Sequence, residues 1–317
     1  MKKIAATITT YNRLEKLKKS LEHVLAQDID YVVIVNNAST DETKDWLASL
    51  SDERLHILNL DENTGGAGGF YHGCKYATEK LDADWVLIFD DDAYPRDDLI
   101  SKFKALEVSE DTGAVSCKVV TPDGKVADFN RPGLNPFKSL GRLIKYFFVR
   151  DSHYLSYDQL EKSNDISVDY SSFVGCFVKT KIIKEELGLP RKELFIYCDD
   201  WLYTLELSML GYRNAYHSDL VFYHDSATFV DNYDDQIWKK YYAYRNSLLF
   251  YRTAAGLVFP LVFLMKLAKW LFDTRLYKKK KEYLGTLVRA CKDGLFSAVI
   301  ARNGVTKQSN AQVLLPS

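Results

Sequence analysis

The sequence predicts an α/β fold: a mostly parallel sheet with helices on both faces, followed by a C-terminal helical segment. Two observations carry this. From residue 4 onward, short apolar runs alternate with stretches of helical spacing, and each run ends in a polar, glycine-rich or acidic turn. After residue 234 the strand signal stops and the pattern is helical and basic. Alternation of this kind, with short links, gives parallel strands joined by crossover helices.

Residues 4–10 alternate into a first strand. Leu14, Leu17, Leu21, Val24 and Leu25 recur at helical spacing and predict an amphipathic helix. Residues 31–35 read as a second strand. Ser39-Thr40-Asp41-Glu42 carries a capping-box pattern, so a helix is expected from there to about Leu50. A third strand at 55–60, a helix at 69–80 and a fourth strand at 85–89 follow, then a helix at 97–108 and a strand at 114–120. Pro122, Gly124, Pro132, Gly133 and Pro136 break the pattern, and 121–165 reads as an irregular excursion. Strand character returns at 168–179 and 193–198. Trp201, Leu202, Leu205, Leu207 and Leu210 predict a helix stopped by Gly211. Residues 214–224 are strand-like, and helix is expected from about Asp234 to near Arg302. The expected division is 1–233 and 234–317.

With 47% hydrophobic residues in 317, the chain can bury a sizeable core. A formal net charge of −1 leaves no basic footprint for nucleic acid, and no nucleic-acid partner is expected. Five cysteines, an odd number with no C-x-x-C, fit reduced thiols in a cytosolic protein and argue against structural zinc. The opening apolar run, 4–10, is too short for a signal-peptide core.

In open α/β sheets the ligand crevice lies at the carboxyl ends of the strands. In Thr9-Thr10-Tyr11-Asn12-Arg13, Thr10 and Asn12 can hold a base and Arg13 a phosphate; capping the next helix is an equal reading of Asn12. Asn37, after the second strand, has the same two readings. In Asn63-Thr64-Gly65-Gly66-Ala67-Gly68-Gly69-Phe70 the glycines let a backbone come close to a ligand, and the following helix start favours an anion. Asn63, Gly65 and Gly66 are the candidates there. Asp90-Asp91-Asp92 closes the fourth strand. Three adjacent acids repel unless a cation neutralises them, and oxygen ligands at that spacing suit Mg2+ or Mn2+. Asp90 and Asp92 are metal candidates and Asp91 a donor-binding one. Four such loops meeting in one crevice is what a nucleotide-sugar site needs. Asp199 and Asp200 open a helix, where a carboxylate can act as general base or merely cap. Trp201 and Gly175 are candidate acceptor contacts. His224 can complete the metal site or be structural.

Together these motifs resemble those of inverting glycosyltransferases of family 2, with the GT-A (Rossmann-like) fold, over roughly residues 1–250. The glycine stretch followed by Phe89-Asp90-Asp91-Asp92 is similar to bacterial galactofuranosyltransferases, and less closely to the related rhamnosyltransferases. The resemblance implies that Asp90, Asp92 and His224 bind a divalent metal, that Arg13 and the glycine loop serve the nucleotide diphosphate sugar, and that Asp200 is the base. Many family members carry Asp where this chain has Asn37, which can hydrogen-bond but bears no charge. The implied reaction moves galactofuranose from UDP-galactofuranose to a polyprenyl-linked glycan. dTDP-rhamnose is the alternative donor, and nucleotidyl transfer the alternative chemistry. A homo-oligomer is left open.

The stretch 257–265 is strongly apolar, but extending it to Phe272 brings in Lys266 and Lys269, so it falls short of a membrane span. Lys266, Lys269 and Asp273 fall on one side of the predicted helix. A buried packing helix is one reading. The other, which the lipid-linked acceptor favours, is a helix lying in the membrane surface with 278–281 over anionic head groups. The expected location is cytoplasmic, peripheral on the inner face of the plasma membrane.

Overall fold

The computed structural model describes residues 2–149, 151–226 and 233–296. Four strands, β1 (Ile4–Thr10), β2 (Tyr31–Asn36), β3 (Leu55–Asn59) and β4 (Trp85–Asp90), pair in parallel in the order β3-β2-β1-β4. Helices α1 (Leu14–Leu25), α2 (Thr43–Ala48) and α3 (Gly65–Lys80) connect them. This half is the predicted alternation.

The second half is mixed. After β4 the chain runs through β5 (Ala93–Pro95), α4 (Leu99–Ala105) and β6 (Thr112–Val120). Next come α5 (Leu140–Phe148), α6 (Tyr157–Lys162), β7 (Asn164–Val168) and β8 (Cys176–Lys179). Then follow α7 (Thr180–Ile182), α8 (Asp199–Met209) and β9 (Arg213–His224). β8 inserts antiparallel between β4 and β6, while β9 lies parallel to β6 and pairs antiparallel with β5 and β7. The single strand expected at 168–179 is thus two strands, separated by a loop that reaches the carboxyl edge of β4.

Helices cover both faces. Leu17, Leu21 and Val24 of α1 and Leu99 and Phe103 of α4 pack on one side of the sheet. Phe70, Cys74 and Ala77 of α3 and Tyr203 and Leu207 of α8 pack on the other. All five cysteines are free thiols, as expected.

Two elements differ from expectation. Residues 193–198 form no strand: a short 3-10 turn, Lys192–Leu194, leads into left-handed backbone at Phe195, Tyr197 and Cys198. The apolar pattern suggested extension, but left-handed backbone ends it. The second is the helix expected from Ser39, which begins only at Thr43, because Ser39 instead accepts the Asn12 backbone N–H.

The C-terminal part comprises α9 (Ile237–Ala255), α10 (Phe259–Asp273) and α11 (Lys280–Phe296), packed around Tyr244, Leu248, Trp270, Tyr283 and Leu287. Helix expected beyond residue 296 lies outside the described residues. The nearly continuous helical run Tyr233–Leu276 is long and apolar enough, by length and composition, to cross a membrane. It is broken at Gly256, whose φ is +51. The α10 piece has 15 residues, about 22 Å at 1.5 Å per residue, short of the roughly 30 Å hydrocarbon core. On α10, Val262 and Trp270 are buried against the neighbouring helices while Leu261, Leu264, Leu271 and Phe272 are exposed, so the helix packs by one face and leaves an apolar stripe outside. Lys266 departs from its expected surface role, its ammonium lying over the Tyr251 ring at 4.4 Å.

Candidate functional site

The register explains why distant residues meet. Thr9 pairs with Asp90 and Thr10 with Asn36, so β1, β2 and β4 end at one edge. After the acidic triplet the chain folds back as β5, placing Ala93 opposite His224. Asp225 N–H donates to the Asp92 carbonyl at 2.8 Å. His224 therefore stands against Asp92, with Nε2 3.3 Å from Oδ1. One ligand atom from each of Asp90, Asp92 and His224 lies within 4.8 Å of the others, the one such group among the described residues.

The electrostatics fit a cation. Burial pushes Asp90 up to about 7, helped by the Asp92 charge. Burial pushes Asp92 in the same direction, but the His224 hydrogen bond and charge, with Arg13, outweigh it and hold it below the usual carboxylate range. The His224 ring is raised despite burial, because Asp92 and Asp90 face it. One buried and one half-buried carboxylate and an imidazole make a hard, oxygen-rich donor set that Mn2+ or Mg2+ would neutralise.

These three residues line a cavity of about 610 Å³ together with Arg13, Gly66, Asp199, Asp200 and Trp201. Asp199, buried, and Asp200, half-buried, open α8, and loss of water pushes Asp199 up to about 8 and Asp200 up to about 7. Asp200 Oδ1 accepts the Trp201 N–H at 2.7 Å. The metal-type cluster and the raised carboxylates thus share one cavity, as a transfer reaction between two bound substrates requires.

A model of the glycosyl transferase family 2 domain matches residues 6–174. The chain belongs to glycosyl transferase family 2. Among curated relatives, a galactofuranosyltransferase of Mycolicibacterium smegmatis is 33% identical over 96 residues, 30% of this chain and 31% of that one. A dTDP-rhamnosyl transferase of Shigella flexneri is 27% identical over 205 residues, 62% of this chain and 61% of that one. The chain thus spans less than two thirds of either relative. A mannosyltransferase from Pyrobaculum calidifontis, solved with GDP-Man and Mn2+, superposes with a TM-score of 0.56 at 19% identity, covering 94% of this chain and 88% of that one. TarS of S. aureus gives 0.57 at 17% identity, covering 91% and 80%. These likenesses establish the GT-A fold. The matched family segment holds Arg13 and the acidic triplet but ends before Asp199, Asp200 and His224.

The remaining predicted residues either border this cavity or brace the loops around it. Asp91 is buried and accepts from Thr10 Oγ1 at 2.7 Å and from Arg13 at 3.3 Å. Arg13 also pairs with Asp92 at 3.0 Å, its side chain half exposed into the crevice. Asn12, left-handed, ties β1 to the next loop by accepting Thr40 N–H. Asn37 is buried: its Nδ2 donates to Asn63 Oδ1 and to the Gly65 carbonyl, and its Oδ1 accepts from Thr64 N–H. An aspartate there would lose both donations, which gives the Asn37 departure a local reason. Gly65 to Gly69 form the first turn of α3, not a free loop. Gly65 (φ +73) abuts the Phe195 carbonyl, whereas Gly66 faces the cavity. Gly175 (φ +70) is packed against Phe222, and its neighbours Phe173 and Val174 line the cavity.

Two residues carried no signal in the sequence. Asn246 on α9 is fully buried and donates to the carbonyls of Leu194, Ile196 and Tyr197, holding the left-handed loop that delivers Asp199. Asn130 contacts His224. Neither lies in a recognisable motif; both act across long sequence separations.

Proposed function

We propose that this chain transfers a hexosyl group from a nucleoside-diphosphate sugar to an acceptor hydroxyl, with inversion and in a metal-dependent way. The observation that carries it is the Asp90–Asp92–His224 group sharing a cavity with the raised Asp199–Asp200 pair. Asp200 takes the acceptor's hydroxyl proton as the oxygen bonds to the anomeric carbon. The bond from that carbon to the diphosphate oxygen breaks on the opposite face, and the nucleoside diphosphate leaves. One displacement with one base inverts the centre, without the second nucleophilic carboxylate of a retaining enzyme. Mn2+ or Mg2+ held by Asp90, Asp92 and His224 would supply positive charge to the leaving diphosphate. Arg13 adds a second positive group on the same side.

The donor proposed first is UDP-galactofuranose, on the motif likeness and the galactofuranosyltransferase match. dTDP-rhamnose is the second, favoured by the longer rhamnosyltransferase alignment. The acceptor is proposed to be a polyprenyl-linked glycan at the inner face of the plasma membrane, with α10 resting on the lipid. The exposed apolar stripe of α10 supports that placement.

Both donors should be incubated with the purified chain, with Mn2+, Mg2+ or EDTA, and nucleotide release measured. UDP release that vanishes in EDTA and returns with metal is expected. Preference for dTDP-rhamnose would reassign the donor, pyrophosphate release would replace glycosyl by nucleotidyl transfer, and full activity in EDTA would remove the metal.

A further inference from the structure

His224 has two ring nitrogens, and only one can face Asp92 and a cation. The other, Nδ1, lies 2.8 Å from Oδ1 of Asn130. A carboxamide oxygen only accepts, so Nδ1 carries the proton. Nε2 is then the nitrogen turned to Asp92, the one that would exchange its proton for a cation.

Asn130 is itself firmly placed. It ends a 3-10 turn, Asp128–Asn130, and its backbone N–H donates to the Ala127 carbonyl at 2.9 Å. Both shoulders of the turn are pinned. Asp128 accepts from Tyr157 Oη at 2.6 Å. Arg131 donates to the Leu155 carbonyl at 2.6 Å, and its guanidinium lies over the rings of Tyr154 and Tyr157, at 5.3 and 4.6 Å. Asn130 is nine-tenths buried and lines the same cavity as Asp90, Asp92 and His224.

We infer that Asn130 is the positioning residue for the metal site, orienting His224 and fixing its tautomer for coordination, and that building this support is a task of the irregular segment 121–165. The inference rests on the metal reading proposed above. Metal-ligating histidines characteristically donate their second N–H to such a partner, and losing it typically costs about 10–100-fold in metal affinity.

The test is Mn2+ binding to the full chain without nucleotide, read by electron paramagnetic resonance of free Mn2+. Asn130→Leu keeps the volume and removes the acceptor; its Kd for Mn2+ should rise about 10–100-fold. Asn130→Asp restores an acceptor at the same place and should bind Mn2+ at least as tightly as the native chain. A merely structural role would not be rescued selectively in this way. Should Asn130→Leu fail to fold, Asn130→Ala serves the same comparison. Native Mn2+ affinity in the acceptor-less variant, with the native chain binding normally, overturns the role of Asn130 alone. Absence of Mn2+ binding by the native chain overturns the metal reading and this inference with it.

Discussion

Asp199 and Asp200 begin α8, where the helix end favours negative charge by roughly 0.3–1 kcal/mol at an exposed site. Loss of water works against this and wins: Asp200 is pushed up to about 7 and Asp199 to about 8. A base of that strength is half-ionised near neutrality, where general-base transfer is most effective. The acid limb of kcat/KM is therefore expected near pH 7. Activity should fall as pH drops through it, because Asp200 takes up the proton it must later accept from the acceptor. Asp200→Asn should lower kcat by about 10²–10⁴-fold while donor affinity is kept. A much larger loss in Asp199→Asn would assign the base to its neighbour.

Helix α3 lies close on β1 because its glycines admit the strand's threonines. A Cβ on Gly69 would stand 2.1 Å from Thr9 Cγ2, and one on Gly73 equally close to Thr7 Cγ2. Gly69→Ala should therefore destabilise the chain by about 1–3 kcal/mol through overpacking, read as a lower denaturation midpoint. Gly69 was legible as part of a glycine-rich strand end, but its packing role was not, since nothing local says which strand a helix will press on. The four parallel strands and their loop motifs were legible for the opposite reason: each is a local pattern of apolar run and polar turn. The antiparallel insertion of β8 and the left-handed path of 195–198 were not. The latter rests on Asn246, some 50 residues downstream. Asn246→Leu strips the side-chain donor from the Ile196 and Tyr197 carbonyls, while that of Leu194 keeps Arg245, and each carbonyl left buried and unpaired costs about 1–3 kcal/mol. It should lower both thermal stability and kcat, and an unchanged kcat in a stable variant would show that α9 does not hold the catalytic loop.

At the scale of the whole molecule, α9 joins the site to the C-terminal helices. Leu249 packs with Ala67, Leu194 and Leu202, and Phe250 with Tyr170 and Leu205. The same helical layer carries the apolar stripe of α10 on its outside. A surface seated there would meet a face that α9 connects to the cavity. Lys269 is drawn to Asp273 at 2.8 Å and Lys266 to the aromatic rings, so neither is a free surface charge. The exposed lysines 278–281 remain, of which Lys279 lies 3.8 Å from Glu282, each worth up to about 1 kcal/mol near an anionic membrane. Hydrophobic seating and charge should therefore separate experimentally. In flotation with anionic liposomes, replacing 278–281 by Glu should abolish binding at low salt, and raising salt should do the same to the native chain as screening shortens. Leu264→Asp with Phe272→Asp should weaken binding at every salt concentration, since it removes the apolar contact that screening leaves intact. Failure of the native chain to float at low salt would sink peripheral attachment. Resistance to both salt and carbonate would instead mean that the helical run through Gly256 straightens and spans.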